Sequence, residues 1–414
     1  MSGGPRLRTM MHSIRVRLIE CLLMIGGICL AISLAEVAFS LLGLRHVPLR
    51  LQGDLPDDIR IFAQSSKVGV VPRDPILLLG DSYAQGFGDW LLEANPNRND
   101  PFHSAHVIQS LTGRDAVTLG RSGAGSGEGL AVLPAVAYAY AKQAWRLRLP
   151  APHAIAVYFY EGNDLNDNIS FLKRNVENQD EPRLADRVDR AISTYSTASA
   201  QALDWRRHFA LSRLSDRILR RVYAEITSAK QVQQSPVADA QEHSQADSPN
   251  LVEIGGSPFE LPVKLQSPAM ELTPMELNRA VLVYERSLTF LRKLLPDAPV
   301  LVVYLPSILA SYRLLGSEVS IQQYIEGRPS HYPTSRVAED SNRICLMIRA
   351  VSSSHGAGFL DLCPAIRLAS AAAVVHGPRD FKHFNRQGME VLGKAVAERI
   401  DGPLSQDPCS SLVN

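Results

Sequence analysis

A chain of 414 residues is long enough for one large α/β domain with additions, or for two small domains. Its 43 Lys and Arg residues nearly balance its 42 Asp and Glu residues, so the formal net charge is +1. This balance, without any strongly basic block, argues against a nucleic-acid partner. Hydrophobic residues at 45% and charged residues at 21% are typical of globular proteins and argue against a mostly disordered, collagen-like or coiled-coil chain.

The N-terminal part of the chain departs from this average composition. Residues 18–44 are almost wholly apolar, interrupted only by charges such as Glu20 and Glu36. As a helix, this run would be about 40 Å long, against a hydrocarbon core of about 30 Å. Residues 1–17 contain four arginines and no acid, so the positive-inside rule predicts a cytoplasmic N-terminus and an exported remainder.

Two other interpretations of this apolar run stay open. Ser33-Leu34-Ala35 has small residues where a signal peptidase cleaves, so the run could be a removable secretory signal. It could also be a buried core helix. We favour an uncleaved anchor, because apolar sequence continues beyond Ala35 and core helices rarely run this long. The anchor and the signal both imply export.

Beyond a polar juxtamembrane linker at residues 45–74, short apolar runs alternate with helical patterns. Runs bounded by Gly or Pro predict buried strands at residues 75–80, 116–120, 153–160, 299–305 and 358–362. Helices are predicted at residues 128–148, 273–295, 341–353 and 385–400. This alternation predicts an α/β fold, with a doubly wound parallel five-stranded sheet covered by helices on both faces.

An insertion at residues 169–267 separates the third predicted strand from the fourth. Residues 183–230 have a helical pattern, with Trp205 and Phe209 available for an apolar face. Residues 231–250 are rich in Gln, Ser, Asp and Ala, which predicts a flexible loop. The insertion could be a lid, a docking surface or a passive addition.

The cysteines exclude a disulfide framework and a zinc ribbon. Cys21 and Cys29 lie in the apolar run, while Cys345, Cys363 and Cys409 lack CxxC spacing and nearby His clusters. In an oxidising compartment these last three allow at most one bridge. The sequence leaves open which pair would form it.

Four motifs place polar residues at the predicted strand and helix edges. The first strand ends in Gly80-Asp81-Ser82, the second in a glycine-rich turn at residues 120–127, and the third in Gly162-Asn163-Asp164. The fourth motif, Asp380-Phe381-Lys382-His383, precedes the last helix. Each motif alone is also typical of an ordinary turn or helix entry.

At the carboxyl edge of a parallel sheet, the same residue types suit nucleophilic catalysis. A serine can attack a carbonyl carbon, and a histidine oriented by a carboxylate can take the serine proton. Glycine N–H groups and a side-chain amide can donate hydrogen bonds to a developing oxyanion. The glycine-rich turn lacks the Gly-Lys-Ser or Gly-Lys-Thr ending that a phosphate loop requires.

In this order, the four motifs resemble the SGNH hydrolases, also called the GDSL esterase and lipase family. Residues 80–82 resemble the first block of that family, Gly123 the glycine of the second, residues 162–164 the third and residues 380–383 the fifth. The resemblance implies a flavodoxin-like SGNH domain at residues 75–402, interrupted by the insertion. Residues 403–414 are then a C-terminal tail.

The chain departs from the family pattern at two positions. Tyr83 stands where the name-giving motif has Leu, a substitution that many members share. Thr118 stands where an Asn is common at the head of the second block. Gly125 is therefore a reserve candidate beside Gly123.

The resemblance implies a serine esterase mechanism in which His383 deprotonates Ser82 and Asp380 holds the imidazole. The backbone N–H groups of Ser82 and Gly123, with the side-chain amide of Asn163, would stabilise the oxyanion. Neither a metal ion nor an organic cofactor is implied.

Two further sets of residues adjoin this implied site. Asp81 and Asp164 are expected to support it through hydrogen bonds to the backbone. Phe87, Trp90 and Tyr160 are candidates for an apolar pocket, or for ordinary core.

The implied function is a membrane-anchored ester hydrolase whose catalytic domain is periplasmic or extracellular. Its substrate would be a small acyl ester or an acylated glycan carrying acetyl or other short acyl groups. An O-acyltransferase that moves an acetyl group to or from an extracytoplasmic polysaccharide is the alternative, because water and alcohol differ only in access to the acyl-enzyme. A non-catalytic binding protein on the same fold is the third class.

Overall fold

The structure, a computed structural model, is an α/β fold preceded by one long apolar helix. It describes residues 5–47, 57–86, 103–144, 148–176, 183–201, 250–263 and 265–410, with single positions at 55, 88 and between 211 and 223. The helices are α1 (Pro5–Ala38), α2 (Asp57–Ala63), α3 (Ser82–Gln85), α4 (Ser104–Thr112), α5 (Leu133–Ala144), α6 (Asp164–Asn175), α7 (Leu184–Gln201), α8 (Pro274–Leu294), α9 (Thr334–Ser354), α10 (Cys363–Ser370) and α11 (Arg386–Ile400). The strands are β1 (Ile76–Leu79), β2 (Ala116–Thr118), β3 (Ala154–Tyr160), β4 (Asn250–Ile254), β5 (Ser257–Leu261), β6 (Val300–Leu305), β7 (Arg313–Leu314), β8 (Glu318–Gln322), β9 (Pro329–Pro333) and β10 (Gly358–Asp361).

The central sheet has five parallel strands in the order β10-β6-β3-β1-β2. Each predicted strand run contains one of these strands, so the predicted five-stranded parallel sheet is confirmed. All five strands are fully buried, which is why they read as continuous apolar runs rather than alternating ones.

Successive side chains of each strand enter two different cores, because strand side chains alternate between the faces of a sheet. In β1, Leu77 and Leu79 pack into one core while Ile76 and Leu78 pack into the other. Helices α5, α7 and α8 cover the first core, and α4, α10 and α11 cover the second. The helix α8 begins with the predicted capping box of Thr273 and Glu276.

The N-terminal helix α1 is long and apolar enough to cross a membrane over Arg15–Ala38. The most apolar 18-residue stretch of this segment has a mean hydropathy of 2.4, and none of its residues is buried. A π-helical turn at Phe39–Gly43 and a 3₁₀ turn at Leu44–His46 follow it. Leu44 and Val47, at 1% and 4% exposure, belong to the first core. The apolar helix therefore runs into the folded domain within a few residues.

Glu36, the acid in the second half of the apolar run, lies against the insertion. Its carboxylate accepts hydrogen bonds from the backbone N–H groups of Leu211 and Ser212, at 2.6 and 3.2 Å. The Ser212 hydroxyl donates a third, at 3.2 Å. These bonds satisfy a carboxylate that is only 5% exposed, so this charge is buried in protein contacts.

The described part of the predicted juxtamembrane linker, residues 45–74, is folded onto the domain. Helix α2 packs on α5, and its Ile59 and Phe62 lie in the first core. Asp115 accepts hydrogen bonds from the backbone N–H groups of Val68 and Arg73, at 2.9 and 2.8 Å. A helix of seven residues is too short to give a clear periodic signal, which is why the sequence pattern misses it.

The insertion begins within α6, and α7 then lies within residues 183–230, for which the sequence pattern predicts a helix. The predicted flexible loop at residues 231–250 lies outside the described residues except at Asn250, and Trp205 and Phe209 lie outside them as well. The chain then forms the antiparallel hairpin β4–β5, which pairs with β7. Gly255 and Gly256, at φ values of 60° and 74°, form its two-residue turn.

A second antiparallel hairpin, β8–β9, follows. The sequence pattern predicts neither of the two hairpins. Its tip, residues 323–328, reaches the candidate site described below. Asn250 joins the two hairpins, because its side chain donates to the Ser320 carbonyl at 3.0 Å and accepts from the Ser320 N–H at 2.8 Å.

The predicted C-terminal tail at residues 403–414 is bound to the domain up to residue 410. Cys345 of α9 and Cys409 form a disulfide, while Cys363 is a buried free thiol. The Asp361 carboxylate also accepts hydrogen bonds from the backbone N–H and hydroxyl of Ser410, at 2.8 and 2.6 Å. The sequence does not reveal this attachment, because cysteine pairing depends on tertiary contacts that spacing alone does not show.

Candidate active site

The end of β1 places Ser82 at the carboxyl edge of the sheet. Gly80 has a φ of 142°, and a Cβ there would lie 2.5 Å from the Tyr158 carbonyl oxygen, so a side chain does not fit. Asp81 caps the short helix α3 by accepting a hydrogen bond from the Tyr83 N–H at 2.8 Å. Ser82 is thereby the first residue of α3, and it is 4% exposed.

Ser82, His383 and Asp380 form one hydrogen-bonded chain. The His383 Nε2 atom lies 2.8 Å from Ser82 Oγ, and its Nδ1 atom lies 2.6 Å from Asp380 Oδ2. The other Asp380 oxygen accepts from the Lys382 N–H at 2.9 Å. Partial burial raises the pKa of Asp380, but the hydrogen bond and charge of His383 and the Lys382 N–H outweigh it and lower the pKa below its ordinary value.

Neighbouring residues hold the His383 loop in position. Asn385 caps α11 by accepting from the Gln387 and Gly388 N–H groups, at 3.0 and 3.3 Å, and donates to the Val374 carbonyl at 2.7 Å. The Tyr83 hydroxyl donates to the Lys382 carbonyl at 3.0 Å, and its ring lies 5.3 Å from the His383 ring. The α3 and α11 segments therefore fix the serine and the histidine relative to each other.

Asn163 lies at the end of β3 and is 6% exposed. Burial raises the pKa of Asp81 and of Tyr324, and the nearby side chain of Asn163 acts against this rise at both groups. The preceding Glu161 ties this loop to the rest of the domain. Its buried carboxylate accepts from the Ser307 N–H and the Ser341 hydroxyl, both at 2.7 Å, and from the Tyr304 hydroxyl. The amide of Asn163 is thus held beside the residue that precedes Ser82.

The structure separates the two glycine candidates for an oxyanion donor. Gly123 is exposed, with a φ of 70°, in a turn closed by a hydrogen bond from the Ala124 N–H to the Arg121 carbonyl at 3.0 Å. Gly125 is buried, and a Cβ on it would lie 2.9 Å from Asn168 Oδ1. Gly125 is therefore packed closely against α6. Gly123 is the solvent-accessible one of the two candidates for an oxyanion donor.

Three buried aspartates surround this site. Burial is the main cause that raises the pKa of Asp81, of Asp164 and of Asp167, the last to about 8. Asp164 accepts a hydrogen bond from the Tyr160 N–H at 3.0 Å, which supports the turn after β3. Asp167 accepts from the Tyr324 hydroxyl at 3.3 Å.

Sequence reasoning missed Asp167 and Tyr324. Asp167 stands three residues after Asp164, so a helix beginning at Asp164 places both on one face, and this spacing was an available signal. Tyr324 belongs to the tip of the β8–β9 hairpin, more than 150 residues further along the chain, and it had no local signal.

Of the three predicted pocket aromatics, Phe87 and Trp90 lie outside the described residues. Tyr160 is core rather than pocket lining, since it is 1% exposed and stacks on Tyr83 at 4.5 Å between ring centroids. Within the described part of the chain, no group of three or more His, Cys, Asp or Glu side chains is arranged to hold a metal ion.

Comparisons with known proteins add little to this geometry. No protein-family model matches the chain, and no curated protein matches it. A crystal structure that aligns with 79% of this chain and 96% of its own shares 14% sequence identity, with a TM-score of 0.32. That similarity is too low to indicate a shared fold or activity.

Proposed function

We propose that this protein is a membrane-anchored serine ester hydrolase of the SGNH type, which cleaves acetyl or short acyl esters. The observation that carries the proposal is the chain of hydrogen bonds from Ser82 through His383 to Asp380. Ser82 and His383 are 301 positions apart in the sequence, yet their reactive atoms lie 2.8 Å apart. Such an order of nucleophile, base and orienting carboxylate is what acyl transfer through a serine requires.

In the first half of the reaction, His383 Nε2 accepts the Ser82 proton as Oγ bonds to the ester carbonyl carbon. The Asp380 carboxylate stabilises the imidazolium that forms. When the tetrahedral intermediate collapses, the carbon–oxygen bond to the alcohol breaks and His383 returns its proton to the departing oxygen. The product is an acyl group on Ser82. In the second half, His383 deprotonates a water molecule whose oxygen bonds to the acyl carbon. The bond from that carbon to Ser82 Oγ then breaks, His383 returns the proton to Oγ, and the carboxylic acid leaves.

Negative charge on the tetrahedral oxygen needs hydrogen-bond donors in place before the reaction begins. The backbone N–H of Ser82, the side-chain amide of Asn163 and the N–H of Gly123 are the donors that we assign. Support for Asn163 comes from its burial and from the position of its side chain near Asp81, next to the nucleophile. Gly123 is assigned because it is the exposed glycine of its turn.

An O-acyltransferase is the second candidate, in which a sugar hydroxyl replaces water in the second half of the reaction. A cleft of about 290 Å³ at the tip of the β8–β9 hairpin favours it, and its Glu271 also accepts a hydrogen bond from the Asn166 amide of α6. The cleft is lined mostly by charged and amide side chains, which suit a hydroxyl-rich acceptor: Lys173, Glu271, Glu276, Gln323, Glu326 and Arg328.

We infer that α1 anchors the protein and that the catalytic domain faces the periplasm or the cell exterior. The arginines before the apolar run support a cytoplasmic N-terminus. The disulfide between Cys345 and Cys409 also supports export, because disulfides persist in oxidising compartments and are rare in the cytosol.

The decisive test is Ser82→Ala in the full-length chain, assayed with nitrophenyl acetate and with a fluorophosphonate probe. We expect turnover to fall by about 10⁴ to 10⁶ and covalent labelling to disappear, because only the Ser82 oxygen forms the acyl-enzyme. Ser354→Ala, on the exposed end of α9, is the matched control and should react as the wild type does. Labelling that persists in Ser82→Ala would refute the assignment. Product analysis with and without a glycan acceptor separates hydrolysis from acyl transfer.

A further inference from the structure

Tyr324, at the tip of the β8–β9 hairpin, reaches the site from outside the four sequence motifs. Its backbone N–H donates to Glu271 Oε1 at 3.1 Å, and the same oxygen accepts from the Asn166 amide at 3.0 Å. These bonds tie the hairpin tip to α6. The Tyr324 side chain is neither fully buried nor fully exposed, so its hydroxyl lies between the protein interior and the solvent from which a substrate arrives.

The Tyr324 hydroxyl contacts two residues of α6 and the loop before it. It donates to Asp167 Oδ2 at 3.3 Å, and the Asp167 N–H donates to the Asn163 carbonyl at 2.8 Å, so Asp167 lies one helical turn after Asn163. Burial raises the pKa of Tyr324, and the nearby Asn163 side chain acts against this rise, as it does at Asp81, the residue before Ser82. A phenol hydroxyl therefore lies beside the amide that we assign to the oxyanion.

This hydroxyl has one proton, and the protonation of Asp167 decides where that proton points. An ionised Asp167 accepts it, as in the hydrogen bond described above. A protonated Asp167 donates its own O–H to the Tyr324 oxygen instead. The Tyr324 proton is then available to an oxygen in the site.

Asp167 lies in surroundings that favour its protonated form. Burial raises its pKa to about 8, and the negative charges of Asp81 and Glu128 add to this rise. The Tyr324 hydroxyl and the positive charge of Arg174 act in the opposite direction but are weaker. The titratable and charged groups that act on Asp167 are Asp81, Glu128, Asp164, Arg174 and Tyr324.

We propose that Tyr324 is a further catalytic residue of this site, whose hydroxyl donates a hydrogen bond to the tetrahedral oxygen beside Asn163. Asp167 is its positioning residue, since it holds the phenol oxygen and leaves the phenol proton to the substrate. This inference rests on the proposed esterase function. No covalent bond to Tyr324 is involved, and its proton stays on the phenol throughout.

The first test is Tyr324→Phe, measured by steady-state kinetics with nitrophenyl acetate. Loss of one oxyanion donor costs about 10² to 10³ in kcat, so we expect a fall of about 10² with little change in KM. Tyr332→Phe is the matched control, because it removes a hydroxyl from the same hairpin where the ring lies beneath Arg336. An unchanged kcat in Tyr324→Phe, or a loss confined to KM, would overturn the catalytic role.

The second test is the pH dependence of kcat. In the wild type, kcat should fall as the pH rises through about 8, because the ionised Asp167 again accepts the hydrogen bond of the Tyr324 hydroxyl. Asp167→Asn cannot ionise and should lack this alkaline fall. Persistence of the alkaline fall in Asp167→Asn would refute the role of Asp167.

Ser82→Ala distinguishes the two levels of inference. If Ser82→Ala abolishes turnover while Tyr324→Phe does not reduce it, the esterase proposal stands and the Tyr324 inference fails. If Ser82→Ala leaves turnover unchanged, the esterase proposal fails. Circular dichroism of each variant establishes that the fold is retained.

Discussion

The Ser82 hydroxyl has a single proton and two acceptors within reach. His383 Nε2 lies 2.8 Å from Oγ, and Asp81 Oδ2 lies 3.3 Å from it. Asp81 also accepts a hydrogen bond from the Tyr83 N–H at 2.8 Å. In the proposed mechanism, the serine proton leaves through the shorter bond to the imidazole.

At this scale we predict that Asn163→Ala lowers kcat by about 10² to 10³ and leaves KM nearly unchanged, since an oxyanion donor acts on the transition state. Steady-state kinetics with a short-chain nitrophenyl ester measures both constants. Asn175→Ala is the control, because it removes an amide from the other end of α6. A rise in KM alone would instead make Asn163 a ground-state binding residue.

At the scale of elements, the C-terminal segment at residues 405–409 is bound along the edge strand of the sheet, β10. Its Asp407 N–H donates to the Phe359 carbonyl at 2.9 Å, and Phe359 donates to the Ser405 carbonyl at 2.9 Å. The disulfide between Cys409 and Cys345 attaches the end of this segment to α9. Strand β10 lies at the edge of the sheet, so this segment covers part of an edge that would otherwise be open to other chains.

Cys409→Ser should therefore lower the free energy of unfolding by about 2 to 4 kcal/mol, the usual contribution of a native disulfide. Denaturant unfolding with and without a reductant measures the effect. The wild type and the control Cys363→Ala should both lose stability on reduction, while Cys409→Ser should not respond. Equal sensitivity of all three proteins to the reductant would contradict this prediction.

At the scale of the whole molecule, a single apolar helix decides on which side of a membrane the site lies. With α1 as an anchor and its arginines inside, everything from the first core onward is exported. The Cys345–Cys409 disulfide favours the same proposal, because disulfides are rare in the cytosol.

Alkaline phosphatase fused after Asn414 should then be active, and a fluorescent protein that folds only in the cytoplasm should stay dark there. Fusions at the same junction in Cys409→Ser serve as a control that the disulfide does not determine topology. The opposite pattern of activity would place Ser82 and His383 in the cytoplasm and remove cell-surface glycans from the substrate classes.

Local sequence predicted those features that depend on local physics. The five strands are continuous buried runs such as residues 154–160, and α8 begins at a capping box that can be read directly. The Ser82 and His383 motifs could be located because each stands at an element edge. The contact between the Ser82 and His383 side chains depends on the order of the strands in the sheet. The pattern of elements indicates the fold class but not this order.

Features that depend on distant pairing were not predictable in the same way. Tyr324 reaches Asp167 across 157 positions, and Cys345 pairs with Cys409 rather than with Cys363. Neither contact has a local sequence signal. The seven residues of α2 are too few to show a periodic pattern. Their place in the core follows only from their contact with α5.

At the junction between α1 and the domain, Leu44 and Val47 are packed in the core, and the Glu36 carboxylate is bonded to the insertion. With α1 spanning a bilayer as proposed, these contacts would keep the domain next to the lipid surface. Under the proposed function, the enzyme would then search for its substrate by lateral diffusion in two dimensions, and the substrates within reach would be those close to that surface.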